Sequence, residues 1–90
     1  MAETEHSPDK VNISEIATLE KIISETSLNL KQLKESTAYL EQCLLEEPDE
    51  VYSQAVEENK VIITKLEKRL EEAERSLKDA KELQTLISGA

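Results

Sequence analysis

Apolar residues recur along this chain at alternating spacings of three and four, in two runs that mirror each other about Pro48. The first run is Ile16, Leu19, Ile23, Thr26, Leu30, Leu33, Thr37, Leu40 and Leu44. The second is Tyr52, Val56, Asn59, Ile63, Leu66, Leu70, Ala73, Leu77 and Ala80. A three-four alternation keeps one stripe of an α-helix apolar, whereas a half-buried strand would alternate with a period of two. Two such stripes joined by a short polar turn can fold back and bury each other. The pattern therefore predicts an all-α fold, an antiparallel two-helix coiled-coil hairpin.

The break between the runs is Glu46 to Glu50, where Pro48 removes a backbone donor and pushes Glu47 out of helical geometry. Asp49 is placed to accept from the first free N–H groups of the second helix, and Glu50 suits the positive end of its dipole. The spacing predicts a helix over 12–45, a turn over 46–50 and a helix over 51–87 that stops before Gly89. Asn12 or Ser14 is the expected cap of the first helix, and residues 1–11, with Pro8, several charges and little to bury, are expected to form a flexible acidic tail.

Lettering the seams as heptads tests whether the turn and the phase agree. With a at Ile16 and every seventh residue on, and d at Leu19 and every seventh residue on, folding at Pro48 places each a residue opposite a d residue of the other run. The layers run from Leu44 with Tyr52 beside the turn to Ile16 with Ala80 at the far end. One of them sets Thr37 against Asn59, the polar member of each seam, a pairing that can pin the register.

The positions flanking the seam are less symmetrical. At the e positions the nearest neighbours across the hairpin are expected to be like charges, Lys34 with Lys60 and Glu20 with Glu74. At the g positions Ile22, Cys43, Ala55, Ile62 and Leu83 add apolar character along one side. A stripe widened from a/d to a/d/g expects more than one partner helix, so the hairpin is expected to be completed by self-association or by helices of another protein. Those five residues are the candidate partner-binding set.

Composition narrows the class of function. In 90 residues there are two tyrosines, no tryptophan, no phenylalanine, one glycine and two prolines, too little to build a globular core or strand connections. A net charge of −9, from 20 acidic and 11 basic residues without a basic block, argues against direct nucleic-acid binding. No apolar run approaches the roughly 20 residues of a membrane span, and the N-terminus has no apolar leader, so a location inside the cell, cytoplasmic or nuclear, is expected. The single cysteine, Cys43, cannot form an intrachain disulfide and suits a reducing compartment.

Candidate chemistry is sparse. His6 is the only histidine and falls in the expected tail, and with only Cys43 elsewhere the chain lacks the roughly four His and Cys ligands of an ordinary zinc site. The carboxylate pairs Glu57–Glu58 and Glu71–Glu72 are adjacent in sequence and so point to different faces of a helix. Ser7–Pro8 is a weak match to a proline-directed phosphorylation site, and Asn12–Ile13–Ser14 matches the glycosylation sequon without a secretory leader to expose it. No catalytic residue, metal, cofactor or small-molecule substrate is assigned, and an enzyme is not expected.

In architecture, two long helices across the acidic turn of Glu46 to Glu50, the chain resembles the helical hairpin of tubulin-binding cofactor A and the coiled-coil arms of prefoldin subunits. It departs from prefoldin in having no room between Glu46 and Val51 for β-hairpins. The leading expectation is a small coiled-coil subunit or adaptor, a non-enzymatic interaction module. The resemblance implies an alternative, a small chaperone or assembly cofactor, and a homodimerising spacer is the third.

Overall fold

A computed structural model describes residues 8–89 of the chain, with side-chain surroundings for residues 14–87. It consists of two helices, α1 (Pro8–Glu46) and α2 (Glu50–Gly89), packed against each other as an antiparallel hairpin. The hairpin is 62 Å long, the span expected of a 40-residue helix at about 1.5 Å per residue.

Both helices are longer than the periodicity predicts. α1 passes through Asn12 and Ser14, so neither caps it, and Pro8 to Val11, expected in the tail, belong to the helix. Proline at the first helical position explains the earlier start, because its fixed φ is already helical and the N–H it lacks would have no partner there. The rest of the expected tail, residues 1–7, lies outside the described residues. α2 continues through Gly89 rather than stopping before it, and no described residue adopts a positive φ. Glycine therefore does not act there as a left-handed stop.

Between the helices only Glu47 to Asp49 are non-helical. The last bond of α1 runs from the Glu47 N–H to the Cys43 carbonyl at 3.0 Å, and α2 begins with the Ser53 N–H donating to the Asp49 carbonyl at 2.9 Å. The Asp49 carboxylate caps α2, accepting from the N–H of Val51 at 2.8 Å and of Tyr52 at 3.3 Å. Pro48 ends one helix and Asp49 starts the next, which is why three residues suffice to reverse the chain.

The core is the heptad seam. Leu30, Val56, Ala73 and Ala80 are the buried apolar residues, and Thr26 and Thr37 are buried with them; all six are a or d positions. The other seam residues are half-buried, with the exception of Tyr52. The expected Leu44–Tyr52 layer is thus open on the Tyr52 side, because the layer next to the turn has packed neighbours in only one direction along the hairpin. Among the described residues no large side chain is fully enclosed, as expected when two helices cover each other along a single stripe.

The polar layer forms. The Asn59 side-chain amide donates to the Thr37 hydroxyl at 3.1 Å, and that hydroxyl donates in turn to the Leu33 carbonyl at 2.7 Å. Thr37 is buried and Asn59 half-buried, so each satisfies the other where water has restricted access.

The flanking charges differ from the expected like-charge neighbours. Lys34 pairs with Glu67 at 3.0 Å rather than facing Lys60, Lys60 pairs with Glu41 at 3.3 Å, and Glu20 pairs with Lys81 at 3.6 Å rather than facing Glu74. Helical Cα–Cβ bonds tilt toward the N-terminus, so in an antiparallel pair two side chains displaced toward their own C-termini lean together. Those displaced the other way lean apart. Each e residue therefore meets the opposite e residue one heptad further on, and those pairs are of opposite sign. All six side chains are about half exposed, and each pair contributes at most about 1 kcal/mol.

Thr37→Val leaves the Asn59 amide without its partner and is expected to lower stability by about 1 kcal/mol, whereas Thr37→Val with Asn59→Leu restores at least that loss. Urea unfolding followed by circular dichroism checks both. Asp49→Ala removes the cap of α2 and is expected to cost about 1 kcal/mol in the same assay, with Asp49→Asn losing less.

Candidate interaction surface

The two long sides of the hairpin are chemically different. On the e side three interhelical ion pairs among the described residues, Glu20–Lys81, Lys34–Glu67 and Glu41–Lys60, bridge the seam at successive levels. On the g side the flanking positions include the five candidates named above. Among the described residues outside the seam, only Ile22, Cys43 and Ala55 at g positions, and Gln84, are partly buried. The hairpin itself therefore shelters these three from water in part, while Ile62 remains 45% and Leu83 51% exposed.

The five do not form one continuous stripe. Asn29 and Ser36 on α1, and Arg69 and Ser76 on α2, occupy the intervening g positions and are exposed. They divide the side into two patches. Toward the open end Ile22 and Leu83 stand apart, with a shallow hollow of about 290 Å³ between Glu15, Ser76, Asp79, Ala80 and Leu83. A wider open groove of about 820 Å³ near that end runs past Ile23, Leu77 and Leu86 and is flanked by Lys78, Lys81 and Glu82. Neither encloses a volume from which water is excluded.

At the turn end the register brings Cys43 and Ala55 opposite one another, with Ile62 two turns along α2. Here the structure adds residues that the a/d/g reading passed over. Tyr39 lies one turn before Cys43 and Val51 one turn before Ala55, both at c positions beside g, and they are 69% and 71% exposed. Tyr52 completes the patch, uncovered because its seam layer is open. A search at spacing i−4 from each g residue would have found the first two, since c and g lie on the same side of a helix.

The Tyr39 phenol lies one helical turn from Cys43 and within electrostatic reach of Tyr52 and Glu46. Its pKa is raised above the ordinary 10.0, first by Cys43 as a side-chain hydrogen-bonding partner of the phenol and then by the negative charge that Cys43, Tyr52 and Glu46 set against a phenolate. The proximity joins the c-position tyrosine, the g-position cysteine and the seam tyrosine in one patch spanning both helices.

Charge is polarised along the same axis. Between Glu35 and Asn59 the chain has eight acidic residues and no Lys or Arg, so this turn segment carries −8 of the net −9; the remainder of the chain has 12 acidic against 11 basic residues. The exposed apolar patch sits within this acidic end.

Among the described residues no group of three or more His, Cys, Asp or Glu is arranged to hold a metal ion, and no helix is long and apolar enough to cross a membrane. His6 and Ser7 lie outside the described residues. Compared with protein-family models, curated proteins and solved structures, the chain matches none.

Cys43→Ala removes the largest influence on Tyr39 and is expected to lower its pKa toward the ordinary phenolic value while leaving helicity unchanged. Ultraviolet difference titration of the two tyrosines checks this, with Tyr52→Leu isolating the Tyr39 transition.

Proposed function

We propose that the hairpin is a non-enzymatic interaction module, a small subunit or adaptor that lays its g side against helices of a partner. The observation that supports this reading is the contrast between the two sides of one seam. Among the described residues the e side is bridged by ion pairs at three levels, whereas the g side carries Ile22, Cys43, Ala55, Ile62 and Leu83 and no ion pair between the helices. A seam with four buried apolar residues leaves those side chains half covered, and adding a helix would remove them from water.

The partner is protein. Nucleic acid would meet a strongly acidic surface, and the open hollows near Leu83 and Leu86 lack the enclosure a small-molecule site needs. The single thiol at Cys43 suits a reducing location within the cell, cytoplasmic or nuclear. A permanent subunit and a transient assembly chaperone would use the same face, and stoichiometry separates them: a fixed ratio that survives purification marks the subunit.

Ile22→Glu and Ile62→Glu are expected to weaken association roughly tenfold or more, each placing a charge where an apolar contact is required, with helicity at 222 nm retained. Sedimentation measures the mass of the chain alone and with its co-purifying partner. Association that survives both changes overturns the assignment of this face.

A further inference from the structure

Two features of the turn end coincide that have no common structural cause. The first is an exposed apolar patch of Tyr39, Val51, Tyr52 and Ile62, with Cys43 and Ala55 half-covered between them. None of the four exposed side chains is needed to close the hairpin except Tyr52, whose layer is already open. The second is charge: eight acidic residues and no cation between Glu35 and Asn59. Glu35, Glu46 and Glu58 fall at f and c positions, on the outer margin of that same side. α1 also ends without a basic residue in its last turn, so the negative end of its dipole adds to the same field.

We infer that this turn-end patch is the docking site for a basic amphipathic helix of another protein, its apolar stripe on Tyr39, Val51, Tyr52 and Ile62 and its Lys or Arg flanks against Glu35, Glu46 and Glu58. The inference rests on the reading of the g side as an interaction surface and names the chemistry of what covers one end of it. An aliphatic stripe of period i, i+3, i+4 and i+7 matches a patch spread across two helices, as in other helix-in-groove contacts. Charge selects the sign of the partner. A second copy placed tip to tip would set two clusters of eight acidic residues side by side, and against the nearly neutral remainder of the chain it would gain little electrostatic attraction. A cationic helix also supplies the positive charge that the end of α1 lacks.

The test uses the full chain and a fluorescein-labelled helical peptide of about 18 residues, leucine on one stripe and lysine elsewhere, followed by anisotropy in about 0.15 M salt. Two control peptides replace every lysine by glutamate or every leucine by serine. The leucine–lysine peptide is expected to bind, and both controls to bind roughly tenfold or more weakly. Tyr39→Ser with Val51→Ser is expected to weaken binding by a similar factor, as is Glu46→Lys with Glu58→Lys. Glu25→Lys with Glu72→Lys makes the same change in net charge on the same side about midway along the hairpin, and is expected to alter binding less than about twofold.

Equal losses from the two charge-reversal pairs, or a lysine–serine peptide that binds as tightly as the leucine–lysine one, would show attraction to overall charge and overturn the site. Sedimentation of the chain alone separates this inference from the broader one. If no peptide binds and the chain forms a dimer that Tyr39→Ser with Val51→Ser dissociates, a second copy covers the patch: the inference falls and the interaction module stands. If no peptide binds and neither self-association nor partner binding depends on the g side, both fall.

Discussion

The hydrogen bond from Asn59 to Thr37 sits in the third layer of the seam counted from the turn, and the placement of everything beside the seam depends on the register it marks. Only when these two residues share a layer do Lys34 and Glu67, or Lys60 and Glu41, come within reach of each other along one side. The same alignment gathers the apolar g residues on the other. Leucines and alanines tolerate neighbours that slide, whereas an amide and a hydroxyl removed from water require one partner at one distance. The three-residue turn restricts the same freedom from the end of the hairpin. Pro48 and the Asp49 cap fix where each helix stops and starts, so turn and polar layer impose one register.

That register holds together a thin molecule. With aliphatic residues along most of the seam and alanine or threonine at four of its six buried positions, the helices approach closely but enclose little apolar volume. Helical propensity adds to this, because Glu, Leu, Lys and Ala make up half of the chain. A hairpin of this kind is stabilised by length rather than by depth, and each further helix laid on it would increase burial. The half-covered state of Ile22, Cys43 and Ala55 is the local expression of that shortage.

The seam was legible in the sequence because burial in a helical hairpin follows periodicity, and the nine layers from Leu44–Tyr52 to Ile16–Ala80 needed only a count from Pro48. What escaped that count depends on direction and on ends. The like-charge neighbours Lys34–Lys60 and Glu20–Glu74 came from treating side chains as radial spokes; their tilt toward the N-terminus selects the oppositely charged partners instead. Tyr52 fits the period but lies in the last layer, where one neighbouring layer is missing. The start of α1 at Pro8 escaped because Asn12 and Ser14 offer plausible caps while proline at the first turn is just as compatible with a helix. Tyr39 and Val51 lie at c positions one turn before Cys43 and Ala55, which a count restricted to a, d and g passes over.

The concentration of charge at the turn has a consequence for motion as well as for contact. A rod 62 Å long whose net negative charge resides at one tip carries a large permanent moment along its axis. In the field of a positively charged body it experiences a torque before it touches anything, and it approaches tip first. Such orientation acts on the rate of productive encounter rather than on the strength of the final complex, and it weakens as salt shortens the range of the field.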